Sequence, residues 1–177
     1  MIYHETYTFC PRCGGSLKSR LIKAGEPERL VCSQCAFVFY LDPKVVAGTI
    51  IEIDGRIVML KRGIGPCYGM WAIPGGFVDV GESVPDAAIR ETREEVNLTV
   101  EIISLIGVYS YFHVAAVIIV YGAAVIGGEL RAADEALEVR LFAPRAIPWE
   151  RIAFSSTRDA LRDYLMNRYP DTTLPHI

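Results

Sequence analysis

The sequence predicts an α/β protein, with a mixed sheet flanked by helices and a small cysteine-rich unit in front of it. Three observations lead there. Apolar, β-branched runs recur between residues 45 and 142, separated by Asp54-Gly55 and by Gly/Pro-rich stretches. Val84–Val96 and Ser156–Tyr169 carry helical spacing instead. Four of the five cysteines crowd into residues 10–35 as two CxxC pairs. The 177 residues, 51% of them hydrophobic, suit one medium domain with a small appendage.

Residues 1–40 form the appendage. Cys10-Pro-Arg-Cys13 and Cys32-Ser-Gln-Cys35 have eighteen residues between them, a spacing that fits a tetrahedral Zn2+ site. Gly14 and Gly15 suit the tight turn after the first pair. So short a segment buries little apolar surface, and metal binding would supply its folding energy. A redox pair or buried free thiols are the alternatives, but a redox CxxC belongs in a βαβ setting that these residues lack. Cys67 stands alone in a Gly/Pro-rich loop, a free thiol without an assigned role.

Leu41-Asp42-Pro43 opens the main domain, residues 41–177. Val45–Ile53 reads as a strand, Asp54-Gly55 as a two-residue hairpin turn and Ile57–Leu60 as the partner strand. Gly63–Met70 is a loop, and Trp71–Val78 is extended but broken at Pro74-Gly75-Gly76. Val84–Val96 is a helix. Ser83 with Asp86 is capping-box-like, Pro85 fits a first turn, and Asn97 tolerates the left-handed conformation that ends helices. Thr99–Tyr111 and Val114–Ile126 are strands, and Gly127-Gly128 turns the chain. Leu137–Phe142 is a further strand. Ser156–Tyr169 is a helix with Leu161, Leu165 and Tyr169 on one face.

Glu91, Glu94 and Glu95 fall at i, i+3 and i+4 and share one face of the first helix. Like charges so close repel. A hard divalent cation such as Mg2+ or Mn2+, which prefers oxygen ligands, would supply the countercharge. The bland alternative is a solvated acidic face with exposed ion pairs from Arg90 and Arg93. The register favours the metal. Gly76, Glu82, Arg90, Glu91, Glu94, Glu95 and Leu98 resemble the Nudix signature, G-x5-E-x7-R-E-U-x-E-E-x-G-U with U a bulky aliphatic. Thr92 stands where that family has an aliphatic residue and Asn97 where it has Gly, so the departures touch packing and spare every carboxylate.

The resemblance implies an α/β/α sandwich and a hydrolase that splits a nucleoside diphosphate linked to another group. It implies metal ligation by Glu91, Glu94, Glu95 and the carbonyl of Gly76, with Arg90 orienting a carboxylate and Glu82 beside them. The general base it implies is Glu91 or a later loop glutamate, for which Glu135 and Glu138 are the candidates. Metal ions would neutralise the pyrophosphate and lower the pKa of a bound water. A homodimer is also implied.

Two groups of the family combine a zinc ribbon with such a domain. NADH pyrophosphatases carry a Ser-Gln-Pro-Trp-type motif after the signature, and the corresponding Ser104–Val114 lacks it. The other group, associated with FAD and ADP-ribose hydrolysis to AMP, is similar through Phe9–Gly14, Asp42-Pro43-Lys44, Lys61-Arg62, Gly69-Met-Trp71, Ile73–Gly76, Glu138–Phe142 and Ile152–Ser156. The Pro that many ADP-ribose pyrophosphatases carry after the signature is absent from residues 98–142. Tyr40, Tyr68, Tyr111 and Phe112 are candidates to stack on a ring, although strand aromatics are more often core. Lys61 and Arg62 are candidates for phosphate contact or a solvated strand end.

A net charge of -3 disfavours a general nucleic-acid surface. Val114–Ile126, at thirteen residues, is too short to span a bilayer. Met1–Phe9 lacks the basic start and apolar core of a signal peptide. The expected location is the cytoplasm, and the expected partner is a small dinucleotide or nucleotide sugar. A rival reading is a module that senses a nucleotide without turnover; the intact carboxylates argue against it.

Overall fold

The computed structural model describes residues 7–170. Of the amino-terminal reading over Met1–Phe9, residues 1–6 lie outside the described residues, as do 171–177 at the other end of the main domain. The chain divides into two compact units, Met1–Pro43 and Lys44–Ile177.

The first unit is a small antiparallel sheet in the order β1 (Leu17–Arg20), β2 (Arg29–Cys32), β3 (Val38–Phe39). Both CxxC pairs sit in turns of the same hydrogen-bonded form. Cys10 N–H donates to Gly15 O and Gly14 N–H to Cys10 O; Cys32 N–H donates to Phe37 O and Ala36 N–H to Cys32 O. In each turn the residue after the second cysteine is left-handed, Gly14 at φ 74° and Ala36 at φ 56°. Leu17, Leu30, Phe37, Phe39 and Leu41 pack with Cys10 and Cys32 in a core too small to hold a fold alone.

In the second unit, seven strands among the described residues form one sheet. Its main path runs β10 (Ala136–Phe142), β5 (Arg56–Arg62), β4 (Lys44–Ile53), β9 (Ala116–Gly128), β8 (Leu98–Ser110), with β6 (Trp71–Ala72) on β5 and β7 (Gly75–Phe77) on β4. β4 and β9 are parallel and the other pairs antiparallel, which is the expected mixed sheet. Successive residues point to opposite faces. Ile50, Ile57 and Met59 pack with Leu161 and Leu165 of α2 (Ser155–Arg168). Ile51, Val58 and Leu60 enter a different cluster with Val96 of α1 (Val84–Val96). Helices therefore cover both faces, giving the α/β/α layering. No helix among the described residues is long and apolar enough to cross a membrane.

One reading is corrected. Gly127 and Gly128 do not turn the chain; they end β9, paired with Thr99 and Leu98. Gly128 is left-handed at φ 88°, and a side chain there would meet Asn97 O and Leu98 Cα. The glycine permits a close backbone approach, which alternation within β9 does not reveal. Two short 3-10 turns, Pro144–Ala146 and Trp149–Arg151, also lie between β10 and α2.

Candidate active site

α1 has the expected bounds, and its ends are fixed locally. Ser83 Oγ accepts from Asp86 N–H at 3.3 Å, and Asn97 closes the helix at φ 57°, ψ 30° with its N–H on Arg93 O. The helix buries Ala87, Ala88, Thr92 and Val96. Ala87 and Ala88 lie against Ala47 of β4, where small side chains let the elements approach. That docking turns the glutamate face toward β7.

β7 is built from glycine for want of space. A side chain at Gly75 would lie 2.6 Å from Ala47 O and 2.7 Å from Gly48 Cα, and one at Gly76 would strike the Glu91 carboxylate. The backbone thus reaches the carboxylates directly, and Gly75 N–H donates to Glu95 Oε2 at 2.8 Å.

Arg90 organises the rest. Its Nε and Nη2 hold both oxygens of Glu82, at 3.2 and 2.7 Å. Nη1 reaches Glu91 at 2.8 Å and Glu94 at 2.9 Å, and Nη2 also donates to Phe77 O at 3.0 Å. Five hydrogen bonds match the five N–H donors of a guanidinium. The countercharge predicted for a cation is therefore met in part by a neighbouring residue.

The carboxylates differ electrostatically. Hydrogen bonds from Arg90 hold Glu82 below the usual range. Burial raises Glu91 despite Arg90. Burial also raises Glu95 to about 7, against the lowering effect of Gly75 N–H, with the charges of Glu91 and Glu135 adding to the rise and Arg62 opposing it. Glu91, Glu94, Glu95 and the Gly76 carbonyl are oxygen donors of the kind a hard divalent cation takes, but the three carboxylates do not draw together as tightly as the cysteine sulfurs of the first unit.

The two later glutamates separate. Glu138 lies on β10, paired with Lys61 at 3.7 Å and with Arg140. Glu135 is exposed just before β10, its backbone carbonyl accepts from Gly63 N–H at 2.7 Å, and its charge reaches Glu95. Arg62 is fixed by donation to Pro66 O at 2.9 Å and by stacking 4.9 Å over Phe154. Tyr111 is committed to Asp159 at 2.6 Å, Tyr40 carries Arg29 over its ring, and Tyr68 and Phe112 are exposed at 67% and 97%. Sequence reasoning missed the Gly75–Glu95 bond and a buried hydroxyl contact, Thr49 Oγ1 to Thr92 Oγ1 at 2.7 Å. Only the unusual Thr92 signalled the latter.

In the first unit the four sulfurs of Cys10, Cys13, Cys32 and Cys35 all lie within 4.8 Å of one another. The separations of 3.8, 3.5 and 3.4 Å for Cys10–Cys35, Cys13–Cys32 and Cys13–Cys35 are close to the roughly 3.8 Å edge of a tetrahedron with Zn–S of about 2.3 Å. N–H groups of Arg12 and Gln34 point at Cys10 and Cys32 sulfurs, each at 3.4 Å. The N–H of Cys35, with that of Gln34, lowers the Cys32 thiol to about 6 against the effect of burial. The donors to Cys32 stabilise its thiolate, the form that binds Zn2+. Among the described residues no other His, Cys, Asp or Glu side chains gather so tightly.

Comparison with known proteins agrees with this architecture. The NUDIX domain family model matches residues 42–164, and the zinc-ribbon "Nudix N-terminal" model matches residues 8–41. An ADP-ribose pyrophosphatase of Methanocaldococcus jannaschii is 39% identical over 132 residues, 71% of this chain and 75% of that protein. An NAD-capped RNA hydrolase, NudC, of Pseudomonas aeruginosa is 27% identical over 90% of this chain, which spans 56% of its length. A crystal structure of a NUDIX hydrolase from Nitrosomonas europaea superposes with a TM-score of 0.87 at 36% identity, covering 96% of each chain. The carboxylate helix against its glycine strand, in a sandwich matched along nearly its whole length, makes this chain a member of the Nudix hydrolase family, a pyrophosphohydrolase with an amino-terminal zinc ribbon.

Proposed function

We propose that the chain hydrolyses the pyrophosphate of ADP-ribose to AMP and ribose 5-phosphate, with FAD, giving AMP and FMN, as the second substrate of the same class. The observation that carries the reading is the α1 carboxylate face held against Gly75 and Gly76. The similarity to an ADP-ribose pyrophosphatase supports the substrate class. Against NADH stands the absence of a Ser-Gln-Pro-Trp motif from Ser104–Val114.

Mg2+ or Mn2+, when bound, neutralises the substrate phosphates and lowers the pKa of a bound water. The residues do the rest. Glu91, Glu94, Glu95 and the Gly76 carbonyl are the donors that would hold the cation, a reading supported by Glu91 and Glu94 sharing Arg90 and by Glu95 lying on Gly75 N–H. Arg90, locked by Glu82 and Phe77 O, fixes the rotamers of Glu91 and Glu94. Glu91 takes the proton of the attacking water; among the later glutamates Glu135, whose charge is felt by Glu95, is the alternative, and Glu138, paired with Lys61 and Arg140, is the weaker candidate. Water adds to one phosphorus, and the bridging oxygen leaves with the other phosphate.

A cytoplasmic setting fits a ribbon whose thiols must stay reduced to hold Zn2+. A homodimer fits the exposed Ile103, Leu105 and Val108 of β8, the end strand of the sheet path. The test is incubation with ADP-ribose, FAD, NADH and a diadenosine polyphosphate, with products resolved by chromatography. Fastest AMP release from ADP-ribose or FAD supports the proposal; preference for NADH, or binding without turnover in Mg2+ and Mn2+, overturns it.

A further inference from the structure

We infer that Thr49 and Thr92 form a matched buried pair of positioning residues that sets α1, and with it Glu91 and Glu95, against the Gly75–Gly76 strand. The inference rests on the reading of α1 as the metal-binding helix. Both residues are fully buried. Thr92 Oγ1 donates to Ala88 O at 2.8 Å, which uses its one proton. The 2.7 Å contact between the hydroxyls must then run from Thr49 to Thr92. The chain of donation is Thr49 to Thr92 to the helix backbone.

Thr49 also holds the strand. Its N–H donates to Pro74 O at 2.9 Å, one residue before Gly75, whose N–H donates to Glu95. The contacts close a ring: Thr49, Pro74, Gly75, Glu95, α1, Thr92 and back to Thr49. Thr92 lies next to Glu91 and one turn from Glu95 and Ala88. A shift of α1 along β4 would therefore alter the spacing of both carboxylates from Gly75 and Gly76. What keeps that spacing is a matched contact: a hydroxyl donating to a hydroxyl, or methyl against methyl, packs closely, whereas an unmet buried O–H pushes the two elements apart.

The direction of the bond makes the consequences unequal. Thr49→Val removes a donor and leaves Thr92 satisfied by Ala88 O. Thr92→Val strands the Thr49 O–H in a dry interface, which is the costly arrangement. Thr49→Val with Thr92→Val restores a matched, apolar contact. Thr92→Ser keeps the hydroxyl and loses only a methyl.

The test is titration of Mn2+ into the full chain, with its ribbon zinc-loaded, following free Mn2+ by electron paramagnetic resonance, beside thermal melts without Mn2+. Thr92→Val is expected to bind Mn2+ about tenfold more weakly, Thr49→Val and the double variant within about threefold of the parent, on the scale of such outer contacts. Thr92→Ser is expected to melt lower yet bind Mn2+ as the parent does. If Thr92→Val binds like the parent while melting lower, or the folded double variant binds tenfold more weakly, the positioning role is overturned. If Thr92→Val does not fold, recovery of fold and binding in the double variant supports the pair, and weakened binding in Thr92→Ser overturns it. If Glu95→Gln leaves Mn2+ binding unchanged, the underlying reading of α1 fails instead.

Discussion

Arg90 and Glu95 represent two ways of living with charge in a half-buried site. Arg90 has all its donors matched, so its loss leaves Glu82, Glu91 and Glu94 facing one another without a cation. Arg90→Lys cannot reproduce the fork and is expected to lower kcat about 10- to 100-fold with a lower melting temperature, measured by initial rates and calorimetry. Glu95 carries the opposite tension. Its pKa is raised from 4.5 to about 7, so between those values the folded state binds more protons than the unfolded chain. Stability of the metal-free protein should therefore fall as pH rises from 4.5 to 7. Glu82 has the reverse sign: held low by Arg90, it contributes stability above about pH 4.5 that disappears as pH falls through its folded pKa. Melts from about pH 2.5 to 8 check both. Glu95→Gln should flatten the upper slope, and Mg2+ should raise the melting temperature of the parent at pH 7.5 but not of this variant.

At the scale of elements, α1 was legible because its ends are local chemistry. Ser83, Pro85 and Asn97 mark the bounds without reference to the rest of the chain. Asn97→Gly should leave stability within about 0.5 kcal/mol, since glycine enters the left-handed region freely, with part of that gain offset by loss of the Asn97 bond to Glu129 O. Asn97→Val should cost about 1–2 kcal/mol, read from urea denaturation. The strands were legible as apolar runs, but the role of Gly128 was not, because its reason is Asn97 at the end of α1 and Leu98 at the start of the neighbouring strand. Thr49 was equally silent. Its partner lies 43 positions away, and a threonine in a β-branched run looks like any strand residue. The carboxylates could be named from their spacing and Arg90 as a partner of one of them, whereas its simultaneous hold on Glu82, Glu91 and Glu94 and the distinct settings of Glu135 and Glu138 required the folded chain. Gly76→Ala tests the closest approach in the site. Its methyl must displace the Glu91 carboxylate, and kcat is expected to fall at least tenfold while the melting temperature moves little, by activity and calorimetry together.

For the whole molecule, two kinds of metal site divide the labour. In the first unit four thiols converge on one point around a core of few residues, so Zn2+ would hold the fold itself. A strong chelator should release one zinc per chain, detected with a chromogenic dye, and expose residues 8–41 to protease before 44–168. In the second unit the sheet and helices are complete through their own packing, so a cation at the α1 face would serve chemistry rather than folding. The sandwich contributes rigidity: β4 carries Ala47 against α1, pairs with β7 through Gly75 and Gly76, and lies in the middle of the sheet. Under the proposed function, pyrophosphate cleavage depends on the α1 face, and AMP release from ADP-ribose across a Mg2+ titration, comparing the parent with Glu95→Gln, measures that dependence directly. Equal yields of AMP and ribose 5-phosphate that rise with Mg2+ in the parent, and a rate at least 100-fold lower in a Glu95→Gln protein that remains folded, are expected. AMP released by Glu95→Gln at the parent rate, or Mg2+-independent release by the parent, would contradict it.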